Sequence, residues 1–141
     1  MTDMDIEKEI VAKGKTAARV TPKRIEEVIR SEHYFTAFDG RAGALTNETY
    51  TGRERPAAGE SDLEPLKLLT FCVMVLDNGF IVTGESACAS PENFDPEIGR
   101  KISRQNAIAK IWPLEGYLLK QKLHGHGFAD YECLPESAKR C

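Results

Sequence analysis

The sequence predicts an α+β fold, in which a small antiparallel sheet carries an N-terminal helix and long, kinked C-terminal helices. Two observations lead to this prediction. A nearly continuous apolar run ends at an Asn-Gly pair and is followed by a second apolar run, which is typical of a hairpin at about residues 66–86. A Thr-Pro pair and an Asp-Pro pair each precede apolar residues spaced three or four apart, which indicates helices.

The composition indicates one globular domain. A chain of 141 residues that is 41% hydrophobic can bury a single core, and we divide it into a flexible segment (1–20), an α+β domain (21–125) and a loose tail (126–141). The net charge of −3 argues against a binder of duplex nucleic acid, whose domain is usually strongly basic. No apolar run approaches the roughly 18–20 residues that span a bilayer, so we expect a cytoplasmic protein without a membrane partner.

The first helix is predicted at about residues 22–33. Thr21 can accept a hydrogen bond as the N-cap, and Pro22 suits the first helical position because its missing N–H would be unpaired there. An apolar stripe at helical spacing follows: Ile25, Val28 and Ile29. Residues 33–45 are aromatic and contain two glycines, which favours a short strand and a turn.

The hairpin is predicted in detail from its turn. Residues 66–76 form the first strand, residues 77–79 contain the Asn-Gly pair of a type I′ turn with two positive φ angles, and residues 80–83 return as the partner strand. Cys72 in the first strand is predicted to be a buried thiol. Since both faces of this strand are apolar, we expect helices to cover one face and a second subunit the other, in a homodimer or a higher homo-oligomer.

Two helices, at about residues 96–112 and 114–124, are predicted to complete the domain. Asp95 is a good N-cap and Pro96 suits the first turn. Pro113 removes one hydrogen bond from the ladder, which should kink or break the helix. The predicted apolar stripe consists of Ile98, Ile102, Ala109 and Trp112, widened by Ile108 and Ile111.

The corner between the hairpin and these helices is the predicted binding site. N–H groups and the dipole at a helix start favour a phosphate, Arg offers bidentate donors to phosphates, and Asn can bond to an adenine edge. The candidate ligand-binding residues are Phe80, Ser90, Asn93, Phe94, Arg100, Arg104 and Asn106. Alternatively, the polar residues only cap a turn and the arginines form a solvated helix face. Likewise, Arg53 and Arg55 in the loop at 47–65 are either solvated or a ligand clamp.

No enzymatic motif is present, and we expect a protein without catalytic residues, a cofactor or a metal site. The chain lacks the GxSxG, HExxH and GxGxxG patterns. Cys88 lies in a GESAC stretch similar to a nucleophile turn, but the stretch lacks the second glycine and a suitably spaced histidine. The four cysteines form no CxxC pair, and the three histidines form no metal-ligand set.

Two stretches are specific as motifs, GESACASPENFDPEIGRKI and NAIAKIWPLEGYLL. They resemble a family of small tailed-phage proteins of formerly unknown function and the related Thoeris anti-defence sponge family, over about residues 21–123. The resemblance implies a homo-oligomeric phage protein in the cytoplasm of an infected bacterium, with ligand pockets at subunit interfaces. Sponges bind cyclic ADP-ribose signals of the host without cleaving them, and some also bind cyclic oligonucleotides at a separate site. Asn93 in PENF matches an asparagine that contacts a base in the sponges.

The leading functional hypothesis is therefore a sponge that sequesters a cyclic nucleotide immune signal of the cyclic ADP-ribose type. One of the two phenylalanines would stack on a base, Ser90 and Asn93 would hydrogen-bond it, and the two arginines would pair with the diphosphate. The alternative is a phage regulatory protein that binds a host protein through its helices. An enzyme acting on nucleotides is the third and weakest hypothesis, since no catalytic set is present.

Overall fold

The computed structural model describes residues 2–47 and 60–125. The predicted α+β class is confirmed, since three antiparallel strands in the order β1-β2-β3 carry a long C-terminal helix on one face. The strands are β1 (Ile29–Thr36), β2 (Leu69–Leu76) and β3 (Ile81–Ala87). The α-helices are α1 (Asp3–Ala12), α2 (Pro22–Glu27), α3 (Ala37–Leu45) and α4 (Pro96–Leu123), and short 3-10 helices occupy Glu60–Leu68 and Pro91–Asn93.

Two predictions fall on residues that lie outside the described ranges. These are the loose tail at 126–141 and the alternative roles of Arg53 and Arg55. Among the helices of residues 2–47 and 60–125, none combines the length and the apolar character needed to cross a membrane.

The N-terminal segment, which was predicted to be flexible, contains the helix α1. Its start has a capping box, in which the Thr2 hydroxyl accepts from the Asp5 N–H and the Asp5 carboxylate accepts from the Thr2 N–H at 2.9 Å. Arg19 donates two hydrogen bonds to the Glu7 carboxylate, at 2.6 and 2.5 Å, and so ties α1 to the chain that follows it. The overlooked signal was a Thr three residues before an Asp, followed by a run without Gly or Pro.

Helix α2 is shorter than predicted, because it ends at Glu27 rather than near residue 33. The predicted start is confirmed: Thr21 is the N-cap and Pro22 is the first helical residue. From Ile29 onward the chain pairs with β2 as an antiparallel strand. Its β-branched and aromatic residues suit a sheet, and pairing with a strand that is distant in the sequence overrides a weak local helical pattern.

A helix, α3, occupies residues for which a strand and a turn were predicted. Thr36 ends β1 and caps α3, since its hydroxyl accepts from the Asp39 N–H at 3.1 Å. Gly40 and Gly43, interpreted as turn residues, lie inside this helix. The ring of Phe35 lies so close to Gly40 that a Cβ there would be 3.1 Å from it, so this glycine serves packing rather than a turn.

The predicted hairpin is present, but its first strand is shorter and its turn differs. The strand begins at Leu69, after a 3-10 helix. The type I′ prediction is wrong, because Asn78 has a negative φ and the positive φ of 88° belongs to Gly79. The Asn78 side chain accepts from the Phe80 N–H at 2.9 Å, and the Gly79 N–H donates to the Leu76 carbonyl at 2.8 Å. These bonds define a three-residue loop in which glycine alone takes the left-handed conformation.

Side chains of β2 alternate between two environments. Every second residue is buried toward α4: Thr70, Cys72, Met74 and Leu76. The burial predicted for Cys72 is thereby confirmed. The opposite side, here named the outer sheet face, comprises Ser31, His33, Phe35, Phe71, Val73, Val75, Ile81 and Thr83. On this face Phe35 is 40% exposed and Ile81 is 56% exposed.

Helix α4 is a single helix of 28 residues, where two helices were predicted. It continues through Pro113, so the predicted division at that residue is not observed. Pro113 cannot donate to the carbonyl of Ala109, but both residues are exposed and water can bond to that carbonyl. The loss of one hydrogen bond on the solvent side is therefore tolerated by a helix that the sheet holds along its other side.

The face of α4 that meets the sheet also differs from the predicted stripe. Its buried residues are spaced every four positions: Gly99, Ser103, Ala107 and Ile111. Ile98 and Ile102 of the predicted stripe are 54% and 42% exposed. Small side chains on the buried face allow the α4 backbone to lie directly against Gly84 of β3, which bulkier isoleucines would prevent.

Candidate functional site

The start of α4 is closed by its own N-cap. The Asp95 carboxylate accepts the N–H groups of Glu97 at 2.8 Å and Ile98 at 3.2 Å. The predicted cap is confirmed, but two of the N–H groups that could bind an anion already bind a carboxylate of the chain. The expectation that this helix start holds a phosphate is therefore not supported.

Three predicted ligand-binding residues precede this cap, in or beside the 3-10 helix Pro91–Asn93. The Ser90 hydroxyl donates to the Glu92 carboxylate at 2.6 Å, and this bond lowers the pKa of Glu92. Phe94 is partly buried. The Asn93 side chain is exposed and, within the described part of the chain, has no hydrogen-bond partner. Of the three, Asn93 is the one whose polar group is available to a ligand.

Arg100 and Arg104 lie one turn apart on α4 and line the same shallow pocket. The pocket has a volume of about 360 Å³ and is completed by Tyr34, Glu97 and Lys101; we name it the cationic depression. Lys101 pairs with Glu97 at 3.3 Å, and both side chains are well exposed. Arg100 is exposed and has no ion-pair partner among the residues that the structure describes.

Arg104 is the centre of a polar network that joins α2, β1 and α4. Its guanidinium donates to Glu26 at 2.7 Å and to both oxygens of Glu32 at 2.9 and 3.3 Å, while the Tyr34 hydroxyl donates to Glu32 at 2.6 Å. Hydrogen bonding to Arg104 lowers the pKa of Glu32, and the bonds to Glu26 and Glu32 raise the pKa of Arg104. Burial, followed by the bond to Glu32, raises the pKa of Tyr34.

The network changes the role expected of Arg104. Two carboxylates neutralise its charge, so a diphosphate would have to displace at least one of them. The predicted pairing of Arg104 with a diphosphate is therefore disfavoured, and its observed contacts hold three elements together. Arg100 remains the arginine that a ligand can reach without breaking a contact.

Phe80 and Asn106 lie away from the cationic depression. The Asn106 amide donates to the Glu85 carbonyl at 2.7 Å, which attaches α4 to β3 and leaves this side chain less suited to reading a base. Phe80 lies at the hairpin turn and lines a different pocket together with Tyr117. The predicted residues therefore do not form one site within a single chain.

A comparison with protein families gives a match over most of the chain. Residues 20–123 match the model of the Phage protein (N4 Gp49/phage Sf6 gene 66) family. The chain belongs to this family. No curated protein and no solved structure matches it. The family description names phages and no activity, so the relation to Thoeris sponges rests on the resemblance of the two sequence stretches.

The family match includes every candidate residue of this phage protein and excludes α1. Sequence reasoning missed Lys101 and Tyr34, which line the cationic depression. The spacing of Lys101 from Glu97 on a helix was available as a signal, since residues four apart are neighbours. No local signal could have located Tyr34, because only the pairing of β1 with β2 brings it beside α4. Within residues 2–47 and 60–125, no group of three or more His, Cys, Asp or Glu is arranged to hold a metal ion.

Proposed function

We propose that this phage protein is a sponge that binds a cyclic nucleotide immune signal of the cyclic ADP-ribose type and holds it without cleaving it. Its place of action would be the cytoplasm of the infected bacterium. The observation that carries the proposal is the pair formed by Asn93 and Arg100, which flank the start of α4 and are both exposed without side-chain partners among the described residues. An amide and a guanidinium are suited to an adenine edge and a diphosphate.

Within the cationic depression, Arg100 and Lys101 are the proposed phosphate ligands. The ion pair between Lys101 and Glu97 is exposed on both sides, so its loss would cost little free energy. Arg104 would not contact the ligand but would help to place Arg100 and Lys101, because its bonds to Glu26 and Glu32 orient the first turns of α4.

A second subunit is part of this proposal. The cationic depression is shallow, whereas small-molecule sites usually bury most of the ligand surface. Ile98 and Ile102, large and exposed, lie on α4 beside Lys101 and offer an apolar surface that a partner copy would cover. A pocket closed between two copies is also what the resemblance to the sponges implies.

Ligand uptake tests the proposal directly. The purified protein is incubated with cyclic ADP-ribose isomers, separated from excess ligand and heated, and the released compound is identified by its mass and retention time. We expect release of the unchanged cyclic compound. Release of linear ADP-ribose would show an enzyme instead, and the absence of any bound nucleotide would contradict the proposal.

Substitution of the two exposed side chains tests the site. A hydrogen bond to a charged group contributes roughly 1.5–3 kcal/mol, so Arg100→Ala should weaken binding about 10-fold to 100-fold in calorimetry. Asn93→Ala should also weaken binding, since it leaves a base edge unpaired. Lys110→Ala is the matched control, because it removes the same charge from the same helix outside the cationic depression. Equal affinities for all three variants would exclude this site.

The second candidate function is a regulatory protein that binds a host protein. The outer sheet face favours it, since Phe35 and Ile81 expose large apolar side chains on one side of the sheet. Ile81→Ser would then abolish binding to that partner, while Arg100→Ala would leave it intact. If the protein is a sponge instead, Arg100→Ala weakens nucleotide binding and the wild type retains no host protein.

A further inference from the structure

An apolar pocket of about 310 Å³ lies between the hairpin turn, α2 and the C-terminal half of α4. We name it the hairpin groove. Its apolar lining consists of Val28, Leu76, Phe80, Leu114, Tyr117 and Leu118. Val28 and Leu76 are buried, whereas Phe80 is 49% exposed and Tyr117 is 66% exposed. The groove therefore has an aliphatic base, and two aromatic rings border it with much of their surface in solvent.

Three charged residues also line the hairpin groove, and one of them has no partner. Arg24 and Glu115 form an ion pair at 3.3 Å, in which the Glu115 side chain is only 13% exposed. Asp77, at the hairpin turn, is exposed, and within residues 2–47 and 60–125 its carboxylate joins no hydrogen bond or ion pair. The groove thus combines an apolar surface with one unpaired negative charge.

This arrangement of charges favours a cationic ligand over an anionic one. An anion would have to take Arg24 from Glu115, and the loss of its partner would leave the shielded Glu115 carboxylate poorly hydrated and unpaired. A cation can pair with Asp77 without breaking any contact between the described residues. The faces of aromatic rings also attract cations, so Phe80 and Tyr117 favour the same sign of charge.

The apolar lining indicates the rest of the ligand. Two aromatic rings at the border offer faces and edges against which a flat ring can pack, and the aliphatic base removes that ring from water. The volume lies at the lower end of the roughly 300–1,000 Å³ of small-molecule sites, so the groove is suited to a compact ligand.

We propose that the hairpin groove binds a small organic cation in which an aromatic ring carries an amine, with the ring between Phe80 and Tyr117 and the ammonium group against Asp77. This site is separate from the proposed nucleotide site, because the hairpin groove and the cationic depression share no lining residue. Phe80, which was predicted to stack on a base, would then contact a different ligand.

Three probes test the chemistry of the ligand on the full-length protein. Tryptamine has the ring and an ammonium group, indole-3-acetate has the same ring and a carboxylate, and n-propylamine has the ammonium group without the ring. Each is titrated against ¹⁵N-labelled protein, and amide shifts are followed by NMR. We expect tryptamine to shift the amides of Leu76, Asp77 and Phe80 with a Kd in the millimolar range or below.

The other two probes should bind at least about 10-fold more weakly, because each lacks one of the two groups. Equal affinities for tryptamine and indole-3-acetate would overturn the proposal, since the charge would then not matter. The absence of shifts with about 10 mM tryptamine would overturn it as well.

Asp77→Asn tests the ion pair and preserves the size of the side chain. Loss of the carboxylate charge should weaken tryptamine binding about 5-fold to 10-fold. Asp39→Asn is the matched control, because it removes the same charge from α3, outside the lining of the hairpin groove. An unchanged affinity of Asp77→Asn for tryptamine would contradict the proposal.

Tyr117→Ala tests the aromatic border. Because Tyr117 is 66% exposed, the change should leave the fold intact and weaken tryptamine binding about 3-fold to 10-fold through the loss of ring contacts. Leu123→Ala is the control, since Leu123 is also exposed on α4 but does not line the hairpin groove. Equal tryptamine affinities of these two variants would show that the Tyr117 ring is not part of the site and would overturn the proposal.

Discussion

At Gly84 the backbone of β3 lies directly against the backbone of α4. A Cβ at this position would overlap the backbone oxygen of Ser103 and the backbone nitrogen of Ala107. Backbone atoms of a helix cannot move aside as the end of a flexible side chain can. The separation of sheet and helix is therefore set by this contact, and it selects the face of α4 that is buried.

Gly84→Ala should lower the free energy of unfolding by about 1–3 kcal/mol, the usual range for overpacking a core. Chemical denaturation monitored by circular dichroism measures the change. Gly116→Ala is the matched control, because a Cβ at that position of α4 meets open space. The control should stabilise the protein by about 0.5–1 kcal/mol through lower backbone entropy in the unfolded chain. Equal changes in the free energy of unfolding for the two variants would show that Gly84 is not in close contact with the α4 backbone.

Arg104 links stability to pH through Glu32. Because Arg104 lowers the pKa of Glu32 below its ordinary value of 4.5, the folded protein binds fewer protons than the unfolded chain near that pH. The contribution of the Arg104–Glu32 pair to the free energy of unfolding is complete above pH 4.5, and it is lost as the pH falls through the lowered pKa of Glu32. Arg104→Gln should remove about 1–2 kcal/mol of stability at pH 7.

The same variant should show a smaller decline of stability below pH 4.5 than the wild type, since it lacks the interaction that protonation removes. Denaturant titrations at a series of pH values provide the comparison. Lys101→Gln serves as control, because its pair with Glu97 is exposed and should contribute less than about 1 kcal/mol. A wild-type pH profile for Arg104→Gln would refute the coupling.

At the scale of elements, α4 shows how packing overrides a local break. Pro113 leaves one carbonyl without an N–H donor, but the helix is held against the sheet by Ser103, Ala107 and Ile111, which are all fully buried. The missing bond lies on the exposed side, where its cost is lowest. A proline can thus remain inside a 28-residue helix without dividing it.

Pro113→Ala should raise the free energy of unfolding by about 1–3 kcal/mol, since it restores an N–H donor for Ala109 and removes an unfavourable residue from the helix interior. Thermal or denaturant unfolding measures this gain. Gln105→Ala, at another exposed position of α4, should change stability by only a few tenths of a kcal/mol. A loss of stability in Pro113→Ala would mean that the proline ring makes contacts that matter in the assembled protein.

At the scale of the whole molecule, the outer sheet face is a second apolar surface that a partner copy can cover, on the side of the sheet opposite to α4 with its exposed Ile98 and Ile102. Phe35 and Ile81 on this face are exposed. The opposite face of β2, which packs against α4, is buried. A two-layer domain with one open apolar sheet face is completed when a second copy covers that face.

We therefore predict a homodimer in solution, with a mass by light scattering near twice 15.7 kDa at micromolar concentration. Ile81→Ser should shift the protein toward the monomer, because it places a hydroxyl in the apolar interface. Val11→Ser, which changes a similarly exposed apolar residue of α1, should remain dimeric. A wild-type monomer would exclude both this interface and a ligand pocket closed between subunits.

The sequence by itself determined the α+β class, the hairpin and the starts of two helices. Thr21 and Asp95 cap the helices that follow them, as predicted, because a cap depends on atoms only two or three residues apart. The candidate site was predicted in part for a similar reason: Asn93 and Arg100 lie at the exposed start of α4, where few contacts from distant residues intervene.

Only the tertiary structure decided where β1 begins, which face of α4 is buried and what Arg104 does. Each of these depends on residues distant in the sequence: β2 converts the end of a predicted helix into a strand, and Gly84 selects the small-residue face of α4. Glu26 and Glu32 reach Arg104 across more than 70 positions of the chain and neutralise it. A hydrophobic pattern shows which residues avoid water, but the closest approach of backbones and the pairing of charges are defined only when the elements have packed.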